Sequence, residues 1–257
     1  MRIVLVKKGP KEGYDTEEYD GNHLLHHLLG AEIKVVRSEH QQKIFEETME
    51  ELKNTGHRPF LLRGSTPLGV AGYVNAMLEL MSQTVECGID IDYLIHASDS
   101  GVTQAGLLIG AKAFNPNIKV LGVATSRSCD EMYNKIAPLM DESIDFMKTD
   151  LKIDQDEMIV YDQYYGDAGG FMTEGKAEAI KLLAEKEGLL IDPVYTGTAM
   201  ACLIDLCRKK SFKSTDVVVF LRTGGTSALF PYKAPLKANI QEKDMPWIIP
   251  PWSPTIN

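Results

Sequence analysis

Tyr93-Leu-Ile-His-Ala-Ser-Asp-Ser-Gly-Val-Thr-Gln-Ala-Gly-Leu-Leu-Ile-Gly110 reads as an apolar strand, a loop of small hydroxylated residues and glycine, and a helix that begins at once. Such a loop turns backbone N–H groups and hydroxyls into one concavity at the positive end of a helix, where a phosphate dianion is favoured. Ser100, Gly101, Val102 and Thr103 are the expected cradle. The spacing does not match G-x-x-x-x-G-K-[ST], and no G-x-G-x-x-G occurs, so a monophosphate fits better than a nucleoside triphosphate or a dinucleotide. Small residues at a strand-to-helix turn can also serve close packing alone, and the loop by itself leaves that reading open.

Working outward, the same alternation recurs on both sides. Apolar runs at Ile3–Val6, Glu32–Val36, Phe60–Leu62, Val120–Ala124, Met158–Tyr161 and Val217–Leu221 read as strands. Helical patterns lie between them at Asn22–Gly30, about 39–55, Val70 to about Val85, 104–114, 129–147, 174–187 and 198–209. Strands of continuous apolar character alternating with helices predict an α/β fold with a parallel sheet covered on both faces. The punctuation Arg63-Gly64-Ser65-Thr66-Pro67-Leu68-Gly69 marks a domain boundary, giving a partial small domain over 1–64 and a large domain over 65–232. Residues 233–257, with Pro235, Pro246, Pro250, Pro251 and Pro254, are expected to form an extended tail.

The composition narrows the function classes. A chain of 257 residues with 44% hydrophobic content can bury a substantial core. A formal charge of -9 and the absence of any Lys/Arg-rich run argue against nucleic acid as a partner. No apolar stretch is long enough to suggest a membrane span, and the first residues lack a signal-peptide core, so a cytoplasmic setting is expected. Cys87, Cys129, Cys202 and Cys207 show neither CxxC nor Cys/His ligand spacing, which predicts no metal site and no disulfide framework. His23, His26 and His27 lie on one short helix, with His23 and His27 on one face, and read as surface or structural histidines. His96 ends a buried strand and reads as structural or as a contact of whatever the loop binds.

Three segments carry a family resemblance. Glu187 to Ala201 (EGLLIDPVYTGTAMA), Val217 to Tyr232 (VVVFLRTGGTSALFPY) and the loop from Ser98 to Gly106 resemble the D-cysteine desulfhydrase and aminocyclopropane-carboxylate deaminase family of pyridoxal-phosphate (PLP) enzymes. Tyr19–Asn22, Gly64–Gly69 and Thr173–Gly175 are similar to that family's characteristic punctuation. The resemblance runs from about Ile3 to Tyr232 and implies the two-domain PLP fold type II of tryptophan-synthase-β-like enzymes. It implies that Ser100, Gly101, Val102 and Thr103 hold the cofactor phosphate, that Tyr195 lies against the pyridine ring, and that the hydroxyl of Thr223 meets the ring nitrogen beside Gly224. Thr196 stands where the deaminases typically carry glutamate, which favours the desulfhydrase-like branch. Tyr165 is the best match for a second active-site tyrosine.

The implied activity is β-elimination on a small amino acid such as D-cysteine, giving pyruvate, ammonia and sulfide. A neutral hydroxyl at the pyridine nitrogen leaves the ring a weaker electron sink than a carboxylate would, which suits that chemistry. The implied partners are the amino-acid substrate and a second protomer or a complementing N-terminal chain. This sequence departs from the family in three ways. A Gly-Asn-Lys segment carrying the Schiff-base lysine and a Ser-Asn-His-x-Arg-like helix find no match here; Asp162–Gly175 replaces a shorter Gly-Tyr-Gly-x-Pro-Thr; and Arg63 stands where the family prefers glycine. The first departure keeps a rival reading in view, a non-catalytic PLP- or phosphate-binding relative or a subunit completed by another chain.

Overall fold

The computed structural model describes residues 3–8, 20–62 and 64–237. In chain order the elements are β1 (Val4–Lys8), α1 (Gly21–Leu28), β2 (Glu32–Val36), α2 (Gln41–Asn54), α3 (Pro67–Cys87), β3 (Tyr93–Ser98) and α4 (Val102–Phe114). They continue with β4 (Lys119–Ala124), α5 (Cys129–Met147), β5 (Ile159–Tyr161), α6 (Glu174–Glu187), α7 (Thr196–Arg208), β6 (Val218–Leu221) and the short α8 (Lys233–Lys237). β1 and β2 form a parallel pair before the Gly64–Gly69 punctuation, and β5-β4-β3-β6 form a four-stranded parallel sheet after it. The fold class is the α/β arrangement expected of the type II PLP enzymes.

Alternation along β3 divides the core. Leu94 packs toward α3, α4 and α5, whereas Ile95 and Ala97 pack toward α7. α4 lies between the sheet and α3, which is why nine of its residues from Val102 to Ala111 are buried. The helix ends follow local chemistry: the Thr66 hydroxyl accepts the Gly69 N–H with Pro67 in the first turn, and Ser128 with Glu131 forms a capping box on α5. No helix among the described residues is long and apolar enough to cross a membrane.

Two expectations need correction. The run Phe60–Leu62 forms no strand, and Phe60 and Leu62 are 78% and 85% exposed, since no neighbouring strand is offered to them. The tail is not extended from its start: Lys233–Lys237 is a helical turn, with Pro235 in its first turn, where a missing N–H costs nothing. At the end of α1, Leu28 and the capping Leu29 are 71% and 76% exposed. Tyr19, Arg63 and the tail prolines beyond Pro235 lie outside the described residues.

Candidate active site

The strand order creates the site. From β3 the chain adds β4 and then β5 on one side, and it returns through α6 and α7 to lay β6 on the other side of β3. Open parallel sheets bind ligands where the order reverses, beyond the carboxyl ends of the strands. Here that place lies between β3 and β6, and the loops that leave these strands are Asp99–Gly101 and Arg222–Gly225.

The first loop has the build of an anion cradle. Gly101 adopts φ 85°, and a Cβ there would stand 3.1 Å from Cγ1 of Ile136, so glycine meets both the backbone and the packing demand. Val102 is buried, and its N–H lies 3.4 Å from the Ser100 hydroxyl. Thr103 is half-buried in the first turn of α4, and its hydroxyl has no partner among the described residues. Below it the Ser98 hydroxyl is buried without a hydrogen-bond partner. Ser65 donates its hydroxyl to the Ser100 carbonyl (3.2 Å), so the Gly64–Gly69 punctuation braces the loop.

Asp99, which the sequence reading did not single out, sits inside this loop. Its carboxylate accepts from the Arg127 guanidinium (2.7 Å) and the Ser126 hydroxyl (2.7 Å), and its carbonyl accepts from Lys135 Nζ (3.0 Å). Arg127 thus meets the Asp99 carboxylate and Lys135 its carbonyl, beside the expected cradle. The signal was present as the hydroxyl-rich run Thr125-Ser126-Arg127 directly after β4, but nothing in the sequence pairs it with Asp99.

The second wall is organised by Asp192. It is fully buried and accepts from the N–H groups of Val194 (2.9 Å), Tyr195 (2.8 Å) and Thr196 (3.0 Å) and from the Thr196 hydroxyl (2.6 Å). Asp-Pro-x-Tyr is an Asx-turn signature, a signal the sequence reading could have used. The turn leaves Tyr195 42% exposed, its phenol pushed up by burial and by the fields of Asp99 and Asp192. Thr196 faces inward onto Asp192, so its hydroxyl fixes the turn that carries Tyr195. On the third loop Thr223 is exposed, Gly224 (φ 110°) has nothing within 4 Å of where a Cβ would stand, and Gly225 (φ 91°) packs on Asp192.

The Asp162–Thr173 segment leaves β5 at the same edge. Gly169 lies against Ser126, and Gly170 lies against Tyr232 and Val194. Of its adjacent tyrosines, Tyr164 donates to Asp205 on α7 (2.5 Å), while Tyr165 is half-buried and its carbonyl accepts from Lys176 (2.9 Å). His96 is not at the cleft. It is fully buried, its Nδ1 lies 2.9 Å from the Ala97 carbonyl, and burial draws it down to about 4, a neutral core ring beside Gln104.

An orphaned hydroxyl, a first helical turn open to an anion and a glycine wall facing empty space fit the phosphate and ring of pyridoxal phosphate. Similarity to known proteins points the same way. Residues 2–224 match the family described as pyridoxal-phosphate dependent enzyme. A D-cysteine desulfhydrase of Klebsiella pneumoniae (strain 342) is 34% identical over 233 residues, covering 90% of this chain and 70% of the relative. A solved structure described as an ACC deaminase homologue superposes with a TM-score of 0.80 at 32% identity, covering 93% of this chain and 71% of that one. An O-ureido-L-serine synthase structure shares the fold, with a TM-score of 0.60 at 14% identity.

Proposed function

Because the chain belongs to the family of pyridoxal-phosphate dependent enzymes, we propose that it holds this cofactor between β3 and β6 and promotes β-elimination on a small amino acid of the D-cysteine kind. The observation that carries the reading is the meeting of the Ser98–Thr103 and Thr223–Gly225 loops at the sheet's switch point, with half-exposed Tyr195 beside them. Bound there, the cofactor would supply an electron sink for the carbanion left when the amino acid loses its Cα proton.

The chain's own residues bind and orient. Amide groups of Gly101 to Thr103, with the hydroxyls of Ser100 and Thr103, would take the phosphate at the positive end of α4. The Tyr195 ring would lie against the pyridine, Thr223 would donate to its nitrogen, and Gly224 would leave room for the ring. Thr196 contributes through Asp192, and Tyr165 is assigned to the substrate side. In the overall reaction the Cα–H and Cβ–S bonds break to release sulfide, and water then hydrolyses the carbon–nitrogen bond of the resulting imine, leaving its oxygen on Cα, to give pyruvate, ammonia and sulfide in equal amounts.

We take the working form to be an oligomer, in which a second protomer would cover exposed apolar side chains such as Leu28, Leu29, Phe60, Leu62 and Val85. All four cysteines are free, which suits a reducing, cytoplasmic setting. Assay of pyruvate and sulfide from D-cysteine with added pyridoxal phosphate tests the activity. Equal release of both supports it; cofactor binding with no release from D-cysteine overturns the lyase reading in favour of a non-catalytic pyridoxal-phosphate-binding relative.

A further inference from the structure

Lys176 and Asp192 are both fully buried, and they stand behind the segments that bear Tyr165 and Tyr195. A buried ammonium is unfavourable unless its N–H groups and its charge are met. Lys176 Nζ donates to the carbonyls of Tyr165 (2.9 Å) and Phe171 (2.7 Å), one on the outgoing and one on the returning limb of the 162–173 segment. Asp192 supplies the opposing charge, and the same carboxylate organises the Tyr195 turn.

Tyr164 and Asp162 tie the outgoing limb to α7 and α5, but the segment's own backbone is sparsely bonded. It contains no regular secondary structure, Gly166 and Gly170 take φ 81° and 87°, and the backbone–backbone hydrogen bond within it among the described residues is Phe171 N–H to Ala168 O (3.0 Å). An apolar side chain of similar length could fill the same space without the desolvation of an ammonium, so packing alone does not account for a lysine here.

We propose that Lys176 is a positioning residue, a clasp that joins the two limbs of the 162–173 segment and so holds that segment, through the packing of Gly170 on Val194, against the turn that carries Tyr195. Its functional consequence rests on the reading of the cleft as the pyridoxal-phosphate site. Burial draws Lys176 down to about 8 against the opposing pull of Asp192, the charged group whose field acts on it. A neutral amine keeps two N–H groups for the two carbonyls and no longer carries a buried charge, so the clasp tightens as the amine loses its proton above that pH.

The test is hydrogen exchange of peptides spanning 162–175 in the wild-type chain and in K176M, with pyridoxal-phosphate affinity read in parallel by fluorescence titration. K176M is expected to keep the protection of α4 and α7 while exchange over 162–175 rises by about tenfold or more, and cofactor affinity falls. In the wild type, exchange over 162–175, corrected for its intrinsic pH dependence, is expected to fall between pH 7 and 9, and in K176M to stay flat. Unchanged exchange over 162–175 in K176M overturns the proposal. Should K176M not fold, flat wild-type protection from pH 7 to 9 overturns it equally. This pattern of exchange in a chain that binds no pyridoxal phosphate would support the clasp and reject the cofactor reading.

Discussion

Gly224→Ala and Gly225→Ala add the same methyl group at adjacent positions with different neighbours. Both glycines have positive φ, 110° and 91°, and holding a non-glycine residue there costs about 1–3 kcal/mol. At Gly225 the new Cβ would also stand 2.5 Å from Oδ1 and 2.8 Å from Cγ of Asp192. That carboxylate is pinned by three backbone N–H groups and the Thr196 hydroxyl and cannot swing aside without releasing them. Overpacking of this kind adds about 1–3 kcal/mol, so G225A should lose roughly twice the stability that G224A loses. For cofactor binding the order reverses. The methyl of G224A projects into the open space assigned to the pyridine ring, so its pyridoxal-phosphate affinity should fall further than that of G225A, by about tenfold or more relative to wild type. Denaturant unfolding and fluorescence titration read the two quantities separately. Equal stabilities for the two variants would refute the packing of Gly225 on Asp192, and wild-type affinity in G224A would refute the placement of the ring.

Three further outcomes follow from the same geometry. Thr103→Val removes a hydroxyl from a charged acceptor and should weaken binding of pyridoxal phosphate or inorganic phosphate by about 1.5–3 kcal/mol; calorimetric titration with an unchanged dissociation constant would count against the cradle. Asp192→Ala strands the buried Thr196 N–H and hydroxyl and the part-buried N–H groups of Val194 and Tyr195, and at about 1–3 kcal/mol for each buried group urea unfolding should show a loss of about 3 kcal/mol; a loss below about 1 kcal/mol would contradict the role given to Asp192. Lys176 has a folded pKa of about 8 against an ordinary 10.5, so the unfolded chain holds the proton more tightly and stability should rise as pH goes from 8 to 10.5. The rise is about 3 kcal/mol, read as wild type minus K176M, and a flat or falling difference curve would contradict it.

Much of the fold was legible because its signals are local. β3 and α4 could be read from the apolar run and the small-residue loop, and α5 and α6 from their helical patterns at 129–147 and 174–187, whose starts the structure shows capped by Ser128 and Thr173. Phe60–Leu62 misled because an apolar run states a tendency to be covered, and whether a neighbouring strand exists to cover it is a tertiary fact. Lys233–Lys237 misled because proline excludes a helix interior but not a first turn. At the site, Gly101 stood out from its strand-to-helix loop and Gly224 from the family resemblance, whereas the packing of Gly225 on Asp192 came only with the structure. The buried charges did not: Lys176 reads as one more polar residue of α6, and the partners that give it meaning, the carbonyls of Tyr165 and Phe171 and the Asp192 carboxylate, come together only in three dimensions. Thr196 illustrates the converse, a residue marked by its place in the motif whose hydroxyl is committed to Asp192.

The central claim, that this chain holds pyridoxal phosphate by the loop between β3 and α4, is tested most directly by a crystal structure determined with the cofactor added. The account predicts the phosphate within hydrogen-bond distance of the amides of Gly101 to Thr103 and the hydroxyls of Ser100 and Thr103, with the ring beside Tyr195 and over Gly224. A phosphate bound elsewhere, with that loop making no contact to it, would contradict the account.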